Sequence, residues 1–576
     1  YGGGKGSNTF VRDNSTVNIG SLNQQLTING NVYGGSALGT VNGTSSTNAS
    51  GGNTKVTVNN GIIKGDVFGG GEGQTNSIPY VLGDITVTIN NGNIGRVFGG
   101  HDKSGSLSQN VSVYLKGGTI GDAFGGGNKS SVTTTNVYQE ASICNNLYGG
   151  SNISGDVATA NVSITGGNSY NIFGGNNEGG NVTTTYIDVS KGHITNLYGG
   201  GNKVPTTTTN VSISGNDDII TNVFGGGNAA NATNVNISQY GANINNLYGG
   251  SNTSGSVDKV IINHQRGTTS NLYGGNNEGG NTINTTINYI DGTSSNLYGG
   301  GNKTNSATTT INITNGSIDN LYGGGNEAGI DDTTINIENG KFQNVFGGAN
   351  KSGNVTNTNV TVTNGTITNL YGGNNAGGST INPIVTIKNG NIGNLFGGGN
   401  LAIADKSNVT IENGTFKTIY GGGNEAGITN STSLIINGGN IASDIYGGGN
   451  YGTVGKDTTV LINNATILGS AYAGGNGSLA TVKGNTSITV NGTTTIGSDT
   501  SKAPLSGSLF GGGNAASTGL ESENNSTTVV NIAGATIYGN VYGGANTSTI
   551  YGKSNVYIGK NAILENNTNL NYDSTN

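Results

Sequence analysis

The chain has few of the residues on which disulfide bonding and catalysis depend. Its 576 residues include one cysteine and three histidines, and only 9% are Asp, Glu, Lys or Arg. A single cysteine cannot form a disulfide framework within the chain. Cys144 occupies a repeat position held by isoleucine elsewhere, so we interpret it as a small buried hydrophobe rather than a reactive thiol. We also expect no metal site and no cofactor, because His101, His193 and His264 share no phase with carboxylates.

Long apolar runs and clusters of like charge are also missing. No stretch approaches the 18 or so apolar residues that a membrane helix needs, so we expect no membrane span in this chain. The net charge of −7 is mild, and the basic residues are scattered singly, which argues against a nucleic-acid partner. The chain contains no methionine and begins with Tyr1, so we expect a processed or partial polypeptide.

Glycine is abundant and hydrophobic residues are scarce. With 109 glycines and 31% hydrophobic residues, the chain could not fill an ordinary globular core. Such a composition favours either disorder or a repeat fold whose core is thin. The strict phase of Ile, Val and Leu described next argues against disorder.

An aromatic residue followed by a glycine pair, or a close variant, recurs along the chain every 24 to 26 residues between Phe98 and Tyr472. When the aromatic is numbered zero, the repeat ending at Tyr322 has apolar residues at −11, −9, −4 and −1, and an Asn-Gly pair between them. Alternating apolar residues punctuated by Asn-Gly predict short strands joined by tight turns. A period of this size is typical of stacked supersecondary units that complete one another's core.

These patterns predict an all-β fold, a single elongated parallel β-solenoid of about 20 coils. A propeller blade needs about 40 residues, and a meander would not place similar residues at one phase of every unit. We expect N-terminal coils with irregular insertions over 1–97, regular repeats over 98–472, and C-terminal coils with longer loops over 473–576. Blocks of four coils recur with a shift of 100 residues, which indicates duplication.

Asparagine holds position +4 in most repeats. Stacked amides can bond to one another from coil to coil, so we predict a structural ladder, with a ligand-binding row as the weaker alternative. Its members are Asn128, Asn152, Asn177, Asn202, Asn228, Asn252, Asn277, Asn302, Asn326, Asn350, Asn375, Asn400, Asn424 and Asn450.

Charged residues hold position +5, and their sign alternates over four successive repeats. Opposite charges about 5 Å apart attract, although exposed pairs contribute under about 1 kcal/mol. We therefore predict a charge ladder along one edge of the solenoid, made of Glu278, Lys303, Glu327 and Lys351.

The aromatic row itself allows two interpretations. Strict alternation would turn the rings outward, where they could stack on sugars or on another fibre; alternatively, the glycines bend the chain and place the rings in a buried corner. The candidate surface row comprises Tyr148, Phe173, Tyr198, Phe224, Tyr248, Tyr273, Tyr298 and Tyr322.

Catalytic candidates are weak. The pairs Asp217–Asp218 and Asp331–Asp332 are local insertions that we interpret as turn residues, so we expect no catalytic residue and no enzyme. Threonine runs such as Thr308 to Thr310 resemble the rows of ice-binding solenoids, but threonine is also an ordinary exposed strand residue.

The repeat of the type Val-Thr-Ile-x-Asn-Gly-x-Ile-x-Asn-Leu-Tyr-Gly-Gly-Gly-Asn resembles those of Gly/Asn-rich parallel β-helix proteins of bacterial surfaces, of the pectin-lyase-like and adhesin type. The resemblance covers about Val56 to Asn546 and implies an extracellular stalk or fibre subunit at a bacterial cell surface. An extracellular chain without disulfides suits such a surface. The expected partners are copies of itself joined end to end, or further repeats of a longer polypeptide. The alternative is a carbohydrate-binding module that uses the aromatic row on a host or matrix glycan.

Overall fold

The computed structural model describes residues 1–21, 23, 26–41, 52–105, 108–215, 219–498 and 507–564. Every long element in this part of the chain is a strand, and no helix occurs in it. The chain forms a parallel β-solenoid of about 19 turns with roughly 25 residues per turn. The predicted fold class is confirmed.

Two compact units divide the chain, the first over Tyr1–Thr285 and the second over Thr286–Asn576. The strands of the first unit are β1 (Phe10–Val11), β2 (Ser15–Ile19), β3 (Thr27–Ile28), β4 (Val32–Tyr33), β5 (Thr40–Val41), β6 (Thr54–Val58), β7 (Ile62–Phe68), β8 (Tyr80–Val81), β9 (Ile85–Ile89), β10 (Asn93–Phe98), β11 (Ser108–Leu115), β12 (Thr119–Phe124), β13 (Val132–Gln139), β14 (Ile143–Tyr148), β15 (Val157–Ile164), β16 (Asn168–Phe173), β17 (Val182–Val189), β18 (His193–Tyr198), β19 (Thr206–Ile213), β20 (Ile219–Phe224), β21 (Ala232–Gln239), β22 (Asn243–Tyr248), β23 (Val257–His264) and β24 (Thr268–Tyr273).

Strand β25 (Thr282–Tyr289) contains the boundary between the units. The strands of the second unit are β26 (Thr293–Tyr298), β27 (Ser306–Ile313), β28 (Ser317–Tyr322), β29 (Ile330–Ile337), β30 (Lys341–Phe346), β31 (Val355–Val362), β32 (Thr366–Tyr371), β33 (Ser379–Ile387), β34 (Asn391–Phe396), β35 (Ile403–Ala404), β36 (Ser407–Ile411), β37 (Thr415–Tyr420), β38 (Thr432–Ile436), β39 (Asn440–Ile441), β40 (Ile445–Tyr446), β41 (Thr458–Asn463), β42 (Thr466–Ile467), β43 (Ala471–Tyr472), β44 (Thr486–Asn491), β45 (Thr495–Ile496), β46 (Leu509–Phe510), β47 (Ser526–Ile537), β48 (Val541–Tyr542) and β49 (Gly552–Leu564).

A regular coil consists of one long strand, a tight turn, one short strand and a glycine-rich corner. In the coil of β27 and β28, Ile311 and Ile313 point inward on the long strand, and Ile318 and Leu321 on the short one. The turn between the strands requires Gly316, whose φ of 111° lies in the left-handed region that residues with a Cβ rarely adopt. Four apolar side chains of one coil thus face a shared core.

Successive coils stack in parallel with residues of equal phase side by side. In the first unit, Val137 of β13 pairs with Val162 of β15, which pairs with Ile187 of β17. In the second unit, Ile311 of β27 pairs with Ile335 of β29, which pairs with Val360 of β31. One repeat therefore corresponds to one coil, and each inward residue packs on the coils on both sides.

The glycine that follows the aromatic marks the corner where the chain leaves the short strand. The amide of Gly323 donates to the carbonyl of Phe346 in the next coil at 2.9 Å. A Cβ on Gly323 would lie only 2.2 Å from the carbonyl oxygen of Gly347. This close approach of two backbones explains why glycine recurs at the corner.

The coils near the two ends are less regular than those between. Strands β1, β5 and β8 form a separate three-stranded parallel sheet in the first unit. In the second unit, β47 and β49 are long strands of 12 and 13 residues. Part of the predicted C-terminal loop, residues 499–506, lies outside the described residues.

Candidate functional surfaces

The repeated aromatic rings lie inside the solenoid, not on its surface. Leu321 and Tyr322 are 0% and 5% exposed, so two consecutive side chains turn inward where the strand gives way to the corner. Alternation holds only along a continuous strand, which is why it assigned the wrong face. The outward interpretation is therefore wrong and the buried corner is supported, because each member of the candidate surface row is at most 7% exposed, namely Tyr148, Phe173, Tyr198, Phe224, Tyr248, Tyr273, Tyr298 and Tyr322.

The repeated aromatic rings form a stack within each unit. Successive ring centroids are 4.6 to 5.0 Å apart from Tyr1 to Tyr273, with interplanar angles of 4° to 8°. From Tyr298 to Tyr542 the spacing is also 4.6 to 5.0 Å, at 3° to 10°. The spacing equals that of neighbouring strands, so the backbone ladder imposes the stacking. The rings from Tyr33 to Tyr273 and from Tyr298 to Phe510 therefore serve as core, whereas Tyr1 and Tyr542 are 60% and 43% exposed.

The tyrosine hydroxyls reach the asparagine row rather than open solvent. The Nδ2 group of Asn252 donates to the hydroxyl of Tyr198 at 3.4 Å, and Asn350 does the same to Tyr298. Burial, and secondarily the charge of Glu278, raises the pKa of Tyr248 to about 12. These hydroxyls remain neutral at physiological pH.

The asparagines at +4 form hydrogen-bonded ladders. In each link the Nδ2 group of one residue donates to the Oδ1 atom of the residue in the preceding coil. The links of the first unit measure 2.8 to 3.0 Å and join Asn128, Asn152, Asn177, Asn202, Asn228, Asn252 and Asn277. Those of the second unit also measure 2.8 to 3.0 Å and join Asn302, Asn326, Asn350, Asn375, Asn400, Asn424, Asn450, Asn476, Asn514 and Asn546.

The first ladder begins on a carboxylate. Asn128 donates to Oδ1 of Asp102 at 2.9 Å, and Asp102 holds the +4 position of its own coil. The hydroxyl of Tyr33 donates to the other carboxylate oxygen at 3.1 Å. Because every amide already serves its neighbours, the geometry of this row favours a structural role over ligand binding.

A second asparagine ladder, at position −2, was not predicted from the sequence. In the first unit Asn146 donates to Asp122 at 2.7 Å, and links of 2.8 to 2.9 Å continue through Asn171, Asn196, Asn222, Asn246 and Asn271. In the second unit, links of 2.9 to 3.1 Å join Asn296, Asn320, Asn344, Asn369 and Asn394. The recurrence of asparagine at −2 was the available signal.

Ion pairs form at +5 between successive coils. In the second unit the ammonium of Lys351 lies 3.0 Å from a carboxylate oxygen of Glu327, and in the first unit Lys203 lies 3.2 Å from Glu178. The remaining members of the predicted row, Glu278 and Lys303, are exposed at +5 in the first and second unit respectively. All of these groups are solvated, so the pairs favour register more than stability.

Threonine contributes an inward row that the sequence reasoning assigned to the surface. Thr309, the middle residue of a threonine run, is buried, and its hydroxyl donates to the carbonyl of Gly323 at 2.8 Å. Thr135 of the first unit makes the same bond to Gly149 at 2.6 Å. Each bond crosses the interior of one coil and satisfies a corner carbonyl.

The groups with reactive side chains are separated or buried. Burial raises the pKa of the Cys144 thiol, which is 1% exposed. Burial also lowers the pKa of His101 to about 4, and its Nδ1 atom accepts a hydrogen bond from the Gly71 amide at 2.9 Å. Among the described residues, no three His, Cys, Asp or Glu side chains are grouped as a metal site would require.

Of the two aspartate pairs predicted to lie in turns, one falls within the described residues. Asp331 and Asp332 lie in strand β29 with exposed side chains, so the turn prediction is wrong for this pair. Asp332 accepts a hydrogen bond from Asn357 in the next coil at 2.6 Å, which makes it part of an outer row. Asp217 and Asp218 lie outside the described residues.

Among the described residues, no helix has the length and the apolar character needed to cross a bilayer. Comparison of the chain with protein-family models, with curated proteins and with solved structures found no match. The structure itself shows a parallel β-helix repeat fold. Because a fold does not determine a function, a function for this chain has to be argued from its surfaces.

Proposed function

We propose that the chain is a non-catalytic structural β-solenoid, a stalk or fibre-forming subunit at a microbial cell surface that assembles end to end. The pectin-lyase-like and adhesin kinship suggested by the repeat motif belongs to this proposal. Ladders of amides and aromatic rings that repeat at strand spacing support it, because a further coil extends every ladder by one member.

The observation that carries the proposal lies in strand β49. Val556 and Ile558 are 40% and 39% exposed, although Val530 and Ile532, their partners in β47, are 0% exposed. Apolar side chains at core positions without a covering coil among the described residues favour the addition of another strand. That strand would come from a second copy or from further repeats of a longer polypeptide.

The test compares variants on the two faces of this strand. Val556→Lys places a charge at a core position and should abolish filaments in negative-stain microscopy, and Tyr557→Lys, at a neighbouring residue that is 59% exposed, should leave them intact. Light scattering across a concentration series measures the same assembly in solution. Discrete monomers of the unaltered chain at every concentration would contradict self-assembly.

The proposed location has a separate test. Antibody raised against the chain should label intact cells of the producing microbe, and external protease should remove the label. Labelling only after the cells are broken would contradict a surface role. The alternative of a carbohydrate module built on the repeated aromatic row has lost its basis, because those rings are buried.

A further inference from the structure

A groove of about 390 Å³ opens on the outer face of the long strands of the first unit. Tyr138, Tyr186 and Tyr240 border it, and its floor follows one row of register partners, from Ser163 through Asp188 to Ser212. Tyr186 and Tyr240 are 51% and 38% exposed. We call this surface the tyrosine groove.

One end of the tyrosine groove is an interrupted aromatic stack. The ring of Tyr138 lies 4.8 Å from that of Tyr114, at an interplanar angle of 9°. The next residue in the row is Ser163, whose small side chain leaves the second face of Tyr138 uncovered by a ring. Asp188 follows one coil later, about 9.6 Å from Tyr138 at strand spacing. This gap accommodates one six-membered ring stacked on Tyr138, with the Asp188 carboxylate beyond the opposite face of that ring.

An interrupted asparagine ladder borders the same gap. Asn161 donates through Nδ2 to Oδ1 of Asn136 at 3.0 Å, but its own partner position in the next coil is occupied by Tyr186. Within the described part of the chain, Oδ1 of Asn161 therefore receives no ladder hydrogen bond. Asn161 lines the groove, so this oxygen is available to a hydroxyl donor.

We propose that the tyrosine groove binds a neutral pyranose ring of a glycan. The apolar face of the sugar stacks on Tyr138, and its hydroxyl groups donate to the Asp188 carboxylate and to Oδ1 of Asn161. This site goes beyond the proposed structural role and does not depend on it. It also differs from the buried aromatic row that first suggested carbohydrate binding.

The lining favours a sugar over other flat or apolar partners. A nucleic acid would require basic side chains for its phosphates, and the groove presents Asp188 and no Lys or Arg. An apolar protein segment would leave the Ser163, Asp188 and Ser212 side chains unpaired beneath it, which is costly. A pyranose has both an apolar face and a ring of hydroxyl groups, so it satisfies both parts of the lining.

The duplicated sequence shows that the repeat does not require this groove. One hundred residues later, Ser238 stands in place of Tyr138 and Asn288 in place of Asp188. Thr286 likewise replaces Tyr186. Tyr138, Tyr186 and Asp188 thus occur in the first copy of the block, where the fold itself would accept the smaller neutral residues of the second copy.

The test measures binding of cellohexaose, chitohexaose and maltohexaose to the full chain by saturation-transfer NMR and titration calorimetry. At least one should bind with a Kd of about 1 mM or tighter. Tyr138→Ser, which copies the residue at 238, should weaken that binding about tenfold, and Tyr138→Phe should retain it. Tyr451→Ser removes a tyrosine of the second unit that is 51% exposed and serves as the matched control.

Several outcomes would overturn the proposal. Absence of binding by all three hexasaccharides at about 10 mM is one, and binding that Tyr138→Ser leaves unchanged is another. A self-association that Tyr138→Ser abolishes, without any saccharide binding, would assign the groove to a second copy of the chain. Far-UV circular dichroism and thermal melts of each variant verify that the fold is intact.

Discussion

The coil that leads to Tyr148 and the coil that leads to Tyr248, one hundred residues later, both lie in the first unit. Their inward positions differ among small and apolar residues, such as Thr135 and Val235, whereas their outward positions differ in size and charge. Inside, Gln139 and Gln239 are 1% and 0% exposed, and each donates through Nε2 to a turn carbonyl, at 3.0 and 3.3 Å. The Oε1 atom of Gln139 accepts a hydrogen bond from the hydroxyl of Ser169 at 2.8 Å, and that of Gln239 accepts one from the hydroxyl of Thr269 at 3.0 Å. Even a buried polar network has been kept between the copies.

The outer face of the same two coils has changed freely. Tyr138 corresponds to Ser238, and Glu140 corresponds to Tyr240. An inward residue must fit the coils on both sides at once, whereas an outward one faces water along most of its surface. Specific recognition in this molecule is therefore to be sought in outward residues that break a row, and structural continuity in inward residues that extend one.

The largest expected effect on stability is the loss of a buried aromatic ring, compared with the loss of an exposed one. Phe224→Ala removes a ring that is 3% exposed and stacks on both neighbours, so the free energy of unfolding should fall by about 3 to 5 kcal/mol. Tyr240→Ala removes a ring that is 38% exposed. This variant should change the free energy of unfolding by less than about 0.5 kcal/mol. Urea denaturation of both variants measures the difference, and equal losses would contradict the inner placement of the aromatic row.

A smaller effect should come from one rung of the +4 ladder. Asn326 donates to Asn302 and accepts from Asn350, both at 2.9 Å, so Asn326→Leu leaves two amides without their partner. We expect a loss of about 1 to 3 kcal/mol in the free energy of unfolding. Asn546 donates to Asn514 at 2.9 Å and is exposed; Asn546→Leu should cost less. A larger loss at Asn546 would argue against the ladder as the source.

The sequence was sufficient to predict whatever depends on phase alone. Identical residues at one phase, such as Asn326 and Asn350, become neighbours in any parallel solenoid, so the strand pairing and the stacking of coils follow from the period. The direction of a side chain at a corner depends on backbone torsions that the period does not specify. For that reason Tyr322 was open to two interpretations, and the inward Thr309 was taken for a surface residue.

The tyrosine groove is beyond such reasoning for a different reason. Tyr138 and Asp188 stand at one phase of two repeats that are not consecutive, and Asn161 stands two residues earlier in phase in the repeat between them, so the lateral register of β13, β15 and β17 brings them to one place. A search for recurring residues passes over Tyr138 and Asp188 because a serine follows each of them in the row, and it treats Asn161 only as a member of a ladder. A site formed where a ladder is interrupted therefore has to be found from the structure, not from the repeat.

The buried tyrosines should make the stability of the fold depend on pH in the alkaline range. Burial first, and the charge of Glu278 second, raises the pKa of Tyr248 to about 12, compared with about 10 in the unfolded chain. The unfolded state therefore loses its proton first, and stability that is complete below about pH 10 is lost as the pH rises to about 12. Tyr248→Phe should shift the midpoint of alkaline unfolding upward and leave stability at pH 7 nearly unchanged. A midpoint that does not move would contradict a buried, neutral hydroxyl at this position.

The smallest expected effect concerns the charged edge of the second unit. Lys351 and Glu327 lie 3.0 Å apart, but their side chains are 61% and 38% exposed, so water and salt screen their attraction. Lys351→Ala should lower the free energy of unfolding by less than about 0.5 kcal/mol at low salt. In about 1 M salt the difference from the unaltered chain should disappear, because the screening length is then about 3 Å. Thermal melts at the two salt concentrations measure both values. A loss that persists undiminished in high salt would mean that the Lys351 side chain acts through packing of its aliphatic stem rather than through its charge.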